Sequence, residues 1–315
     1  VSIGTATNSA EMPWPGILSQ FIAKSGGNAY HGKIYSDYQN KNVQSRNIDE
    51  AQIALGLKGG GGLTPSDLNR AEKYYDVNGD VGGYFKIDKL WWYGSLRQQD
   101  VQSRLPNFPV KPFQTTLQNL SGKVTYALST NNKLIGYALA GKKTQPNRMD
   151  TYVIGATAAI HNSADSTWNQ EYWAHTYKGE WDSVLTDKTF VELRVGQYAY
   201  NWPNFRRTEA PAFQDLGTNI VSGGNRDGWR NIPVRNQVLG SYSIFKDGWA
   251  GSHNFKIGGE YFKETYEYLR GAGGKGYVPG DVLHMLRNGA PVEVYLFQTP
   301  SSSHSALYTT GLYVT

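Results

Sequence analysis

The chain has 315 residues, with 36 Gly, 9 Trp, 22 Tyr, 11 Phe, no Cys and 18% charged side chains. Without Cys there is no disulfide framework and no thiolate metal site, and the +5 net charge comes from Lys and Arg scattered singly rather than in the stripe of a nucleic-acid binder, so no nucleic-acid partner is expected. No window reaches the ~20 apolar residues of a membrane-spanning helix, but a mean hydropathy of −0.53 leaves room for membrane strands, in which only alternate residues meet lipid.

A two-residue period runs along most of the chain. A first strand is predicted over 30–40. Strands 76–86 and 90–103 flank Ile87-Asp88-Lys89. Strands 115–129 and 133–143 flank Thr130-Asn131-Asn132, with Ile135, Tyr137 and Leu139 expected on the apolar face of the second. In 173–182, Trp173, His175, Tyr177, Gly179 and Trp181 alternate with Thr176, Lys178, Glu180 and Asp182. After the Thr186-Asp187-Lys188 turn, strand 190–200 sets Val191, Leu193 and Val195 against Glu192 and Arg194. Strands 235–246 and 253–268 flank 247–252, with Phe255, Ile257, Gly259 and Tyr261 opposing Lys256, Gly258 and Glu260. A last strand over 305–315 completes an expected ten.

The remaining connections are long: 41–75, 104–114, 144–171, 202–234 and 269–304. Short turns at one end and long loops at the other mark an outer-membrane barrel, with the long loops extracellular, whereas a compact soluble sandwich rarely carries several such loops. The reading is all-β: an antiparallel transmembrane β-barrel, present in part as an open curved sheet. Trp91-Trp92-Tyr93, Tyr172-Trp173, Trp181, Tyr200, Trp202 and Tyr308 fall near strand ends, where interfacial girdles would place them. Val191, Leu193, Val195, Phe255, Ile257 and Tyr261 are expected to face lipid, and Glu192, Arg194, Lys256 and Glu260 the lumen.

Two stretches resemble a known family. Phe21-Ile22-Ala23-Lys24-Ser25-Gly26-Gly27-Asn28-Ala29-Tyr30-His31-Gly32 resembles the plug-to-barrel junction of TonB-dependent receptors of the Oar-like group, which carry a carboxypeptidase-regulatory-like N-terminal domain. Gly82-Gly83-Tyr84-Phe85-Lys86-Ile87-Asp88-Lys89-Leu90-Trp91-Trp92-Tyr93 is similar to that group's second hairpin, except that Tyr84 stands where the group usually has Pro. Asn131-Asn132-Lys133-Leu134, Gln145-Pro146-Asn147-Arg148 and the closing Ala306-Leu307-Tyr308-Thr309-Thr310-Gly311-Leu312-Tyr313-Val314 extend the likeness. It implies a plugged 22-stranded barrel, so the chain is expected to be a piece, opening inside the plug and stopping at Thr315 in mid-strand. Residues 1–28 would be the C-terminal end of the plug, and 29–315 the N-terminal half of the barrel. It also implies energy-coupled uptake of a scarce substrate, through a TonB complex that touches a segment outside this chain.

Other motifs point to no chemistry. Asp76-Val77-Asn78-Gly79-Asp80 lacks the Gly and Glu of a calcium loop, Val81 and Ile87 standing in their places, and reads as a strand-edge turn. Gly59-Gly60-Gly61-Gly62 lacks a following Lys-Ser/Thr and reads as loop. His31, His161, His175, His253, His284 and His304 show no metal-ligand spacing, and His175 suits an interface. Glu180, Asp182 and Glu192 resemble a glycosidase pair but read as lumen lining. No catalytic residue, cofactor or metal is expected. The best candidate ligand contacts are Trp202, Arg206, Arg207, Arg226, Trp229 and Arg230, which can grip an anion or sugar by charge-assisted hydrogen bonds and stacking; the same cluster also suits lipopolysaccharide phosphates or solvent. Membrane lipid, lipopolysaccharide, the TonB complex and an extracellular substrate are the expected partners. The alternatives are a passive porin, against which the 21–28 junction argues, and a secreted all-β carbohydrate-binding protein, against which the apolar strand faces argue.

Overall fold

The computed structural model of the chain describes residues 2–4, 18–20, 22–55, 64–105, 108–149, 161–248, 250–273, 276–277 and 282–315. Gly59 to Gly62 and most of the expected plug residues lie outside these. One ten-stranded sheet dominates, its spatial order following the chain. Its strands are β1 (His31–Asn40), β2 (Arg70–Lys86), β3 (Leu90–Leu105), β4 (Phe108–Ser129), β5 (Asn132–Arg148), β6 (Trp168–Thr186), β7 (Thr189–Arg206), β8 (Trp229–Asp247), β9 (Ser252–Arg270) and β10 (Ser301–Val314). Every neighbouring pair is antiparallel. The sheet is open, with β1 and β10 as its two edges. The turns are made by residues that accept a left-handed backbone, such as Asp88 (φ 59°) between β2 and β3, and Gly248 (φ 91°) between β8 and β9.

Directly opposed residues of an antiparallel pair point to the same side, so the register sorts the side chains. One row runs Leu134, Trp181, Leu193, Gly240, Gly259, Leu312. The next residue on each strand gives Ile135, Glu180, Arg194, Leu239, Glu260, Gly311 on the opposite face. Val191, Leu193, Val195, Phe255, Ile257 and Tyr261 share the first, apolar face, and Glu192, Arg194, Lys256 and Glu260 the second, polar one, as the alternation predicts. The apolar face is uncovered from edge to edge: Ile34 is 84% exposed on β1, Leu120 60% on β4 and Leu312 87% on β10. On the polar face charges pair across strands, Lys133 with Asp182 at 3.0 Å and Lys256 with Glu192 at 3.3 Å, while Arg194 meets Glu192 at 2.7 Å.

Four expectations change. Ile135, Tyr137 and Leu139 lie opposite Glu180, Lys178 and Thr176, hence on the polar face. The apolar-face positions of β5 are instead Leu134, Gly136, Ala138 and Ala140, so on this strand the bulky residues mark the wrong side. The strand-end aromatics also divide, because neighbours in sequence point opposite ways: Trp92, Trp173, Trp181 and Tyr308 take the apolar face, and Trp91, Tyr93, Tyr172, Tyr200 and Trp202 the polar one. Asp76 to Asp80 is no turn but the middle of β2, with the Asp76 carboxylate held by Arg97. Finally, the strands run beyond the alternating segments, to 22 residues in β4 and 19 in β6, β8 and β9. On β3 the far end is polar on both faces, as where Asp100 accepts from Gln102, Gln114 and Thr116, so there the period vanishes while the ladder continues.

Parts of the long connections build a second, five-stranded sheet ordered Ala290–Leu296, Val282–Arg287, Ala212–Asp215, Ile220–Gly223, His161–Asn162. Ala212, Leu283 and Met285 form its small core, with Leu216, Tyr295 and Phe297 against it. Ahead of β1, residues 22–28 run along the polar face. Lys24 pairs with Asp80 at 3.1 Å, and Lys123 donates to the Ala23 carbonyl at 3.2 Å. Asn28 Oδ1 accepts from the Asp88 amide at 3.0 Å and from the Trp91 indole at 2.7 Å.

Candidate functional site

The long-loop end of the polar face carries a wall of aromatic rings. Strand pairing sets it: Trp202 on β7 lies opposite Asn231 on β8, and Asn204 lies opposite both Trp229 and Gln170. Trp202 and Trp229 come together with ring centroids 5.5 Å apart. Trp229 meets Trp168 at 6.0 Å and Tyr268 at 6.3 Å. Trp202 meets Tyr172 at 6.3 Å and Tyr200 at 6.4 Å, and Tyr172 meets Tyr200 at 5.4 Å. The Arg148 guanidinium lies 5.4 Å from the Trp202 ring centre. Such tilted and edge-to-face contacts hold each ring in place at about 0.5–1.5 kcal/mol per pair.

Polar groups unsatisfied within the protein surround the wall. Gln170 and Asn204 are fully buried and bond to each other at 3.0 Å, leaving Gln170 Oε1 and Asn204 Nδ2 without a protein partner. Trp202 Nε1 and Asn231 Oδ1 have none either. Buried groups of this kind take up water or a ligand. The arrangement offers flat apolar rings edged by amide donors and acceptors, which suits stacking and hydrogen bonding.

The arginines from the sequence reading are dispersed. Arg206 donates to the Ala210 carbonyl at 3.1 Å, and Arg207 to the Pro146 carbonyl. Arg226 lies 3.7 Å from the buried Asp227 carboxylate and stacks on Phe297 at 5.9 Å. Arg270 also binds Asp227 and stacks on Phe297 at 5.2 Å, so Asp227 and Phe297 tie the 282–296 hairpin to the wall. Arg230 points from the opposite face of the sheet, between Pro203 and Leu269. The structure therefore brings Trp202 and Trp229 together and gives Arg206, Arg207 and Arg226 internal contacts. Tyr172, Tyr268, Gln170 and Asn204 join the wall without having been foreseen; their signal was the same even-numbered parity as Trp202, continued past the expected strand ends.

A carboxylate fixes the outer sheet. Asp215 Oδ1 accepts from the amides of Gly217, Thr218 and Asn288, and Oδ2 from Gly289. Desolvation alone would raise its pKa, but these four backbone bonds outweigh it and hold the carboxyl below its ordinary range. Among the described residues no group of three or more His, Asp or Glu is placed to hold a metal.

The sequence matches no protein-family model and no curated protein. The fold is similar to that of the outer membrane transporter YddB from Escherichia coli, with a TM-score of 0.62 and 9% identity over 90% of this chain and 36% of that one. The chain thus spans about a third of that transporter's length. The RagAB peptide importer (TM-score 0.47, 10% identity, 92% of this chain and 40% of that one) and the siderophore receptor PirA from Acinetobacter baumannii (0.40, 9%, 92% and 41%) are more distant and bear no weight. The likeness to YddB establishes the fold: this open ten-stranded antiparallel sheet has the fold of part of a transmembrane β-barrel.

Proposed function

We propose that the protein is an outer-membrane receptor of the TonB-dependent kind, which imports a scarce substrate through a plugged barrel. Residues 29–315 supply ten strands of the wall, and residues 1–28 the end of the plug. The observation that carries this reading is the pairing of two features on one sheet. An apolar face lies uncovered across ten strands, a surface that water does not tolerate and hydrocarbon does. On the other face, residues 22–28 are held by Asp80, Lys123, Asp88 and Trp91, where a plug would leave the wall. A passive porin accounts for the first feature and not the second. The aromatic wall is the substrate contact in this reading, with lipopolysaccharide phosphates as an additional partner of the outer arginines.

Uptake tests it. Cells with and without the full-length protein are compared for entry of cobalamin, ferric siderophores, oligosaccharides and oligopeptides, in the presence and absence of a protonophore. One class should enter only with the protein present and stop when the gradient collapses; entry indifferent to the protonophore would mean a passive channel. Replacing both Trp202 and Trp229 with Ala should lower that uptake roughly tenfold at unchanged abundance, the loss expected for two stacking rings. The tryptophans are a cleaner test than Arg206, Arg207 and Arg226, whose removal would also break internal contacts, and than Arg230, which points from the opposite face.

A further inference from the structure

The apolar face is not smooth. A groove of about 850 Å³ follows one register row, Trp92, Val124, Gly136, Gly179, Val195, Val238 and Tyr261, and a second of about 570 Å³ joins it at Val124, Gly136, Gly179 and Val195. Gly136 and Gly179, with Gly122 beside them, form the floor, because they send no side chain outward. Six strand spacings of about 4.8 Å make the slot on the order of 29 Å long. The neighbouring rows, about 7 Å away on either side, also line the grooves: Ala138, Tyr177 and Gln197 the larger, and Tyr126, Leu134 and Trp181 the smaller.

The second groove reaches the short-turn end of the sheet at Leu90 and Tyr126. There Lys86 lies opposite Leu90, and the Lys89 ammonium sits 5.9 Å from the Tyr126 ring centre. The turn bearing both lysines is fixed by Asn28 bonding to the Asp88 amide at 3.0 Å, and by the Ala127 amide donating to the Lys89 carbonyl at 2.8 Å.

We propose that this slot seats an acyl chain of one phospholipid, whose phosphate meets Lys86 and Lys89. The proposal rests on the apolar face being the membrane face. Chemistry selects the occupant. A strand finds no free backbone partners on the flat of a fully paired sheet, whereas a hydrocarbon chain needs no hydrogen bonds and meets an apolar lining. The two ammonium groups at one end supply the charge that a phosphate complements.

Native mass spectrometry on the full-length protein, released from membranes in mild detergent, tests this. The unaltered protein should keep one phospholipid. Gly136→Leu fills the slot without meeting the protein, since a Cβ at Gly136 has nothing within 4 Å; it should lower lipid occupancy about tenfold with an unchanged circular-dichroism spectrum. Lys86→Glu with Lys89→Glu should lower it by a similar factor, as expected when charge-assisted contacts to phosphate are lost. Equal phospholipid in all three proteins would overturn the proposal, as would retained lipopolysaccharide or a retained protein in its place. A nitroxide at Ile257, outside the groove, separates the two levels of the argument. Lipid-exposed Ile257 with unchanged occupancy removes the slot alone, whereas water-exposed Ile257 removes the membrane face as well.

Discussion

Two adjacent glycines show how single residues set this architecture. A Cβ on Gly83 would meet the Tyr30 ring at 2.2 Å on the apolar face, while Gly82 on the polar face lies under Gly26, whose own Cβ would strike the Trp92 and Gly83 carbonyls at 2.2 and 2.3 Å. The Gly-Gly pair thus lets one segment cross above the sheet and one ring pack below it. Gly83→Val should displace Tyr30, whose hydroxyl donates to the Tyr84 carbonyl at 2.8 Å, and destabilise the protein by about 1–3 kcal/mol, the usual cost of overpacking; urea titration of the membrane-inserted protein measures it. Asp215 makes a second prediction. Its pKa is lowered on folding, so its contribution to holding the 282–296 hairpin is complete above its unfolded value of 3.8 and is lost as pH falls below that. The amide resonances of Gly217 and Gly289 should therefore be constant from pH 8 to 5 and titrate only in more acid solution. In Asp215→Asn this titration should vanish and the hairpin amides exchange faster at every pH; a midpoint above pH 4 would contradict the assignment.

At the scale of elements, the strands were legible wherever one face is wet and the other is not. In β6, β7 and β9 the charged and apolar sets alternate cleanly, and the register follows them. β5 departs from the expectation because its apolar-face positions after Leu134 are the small Gly136, Ala138 and Ala140, the first two lining a groove, while bulk takes the other face as Ile135, Tyr137 and Leu139. Volume is a poor guide to burial where the lumen side is itself packed. The upper half of β3 carries no period, since both faces are polar there, and the Val282–Arg287 and Ala290–Leu296 hairpin falls inside an expected long connection although Asn288-Gly289 is a turn signal, with φ of 51° and 82°. The aromatic wall was half visible: Trp202 and Trp229 stood out by type, while Tyr172 and Tyr268 required the register. The corrected register of β5 predicts that Leu134→Arg costs about 2–4 kcal/mol of folding stability in vesicles if it lies near the bilayer midplane, and that Ile135→Arg costs less than half as much. Equal costs would return β5 to its misread orientation.

For the molecule as a whole, the ten strands share a single division into an exposed apolar face and a charged, partly covered one, and β1 and β10 remain as edges that hydrocarbon cannot satisfy unless they are paired. Every functional proposal above depends on that division: the aromatic wall, proposed to meet substrate, and residues 22–28 occupy one side, and the proposed lipid slot the other. The most direct test places nitroxides singly at Leu120, Leu193, Val238 and Ile257, and at their neighbours Asn119, Arg194, Gln237 and Lys256, in the full-length protein in lipid vesicles. The account predicts that the first four collide with oxygen and are shielded from a water-soluble nickel chelate, while the second four show the reverse. Chelate access to Leu193 and Ile257, with oxygen favoured at Arg194 and Lys256, would contradict it.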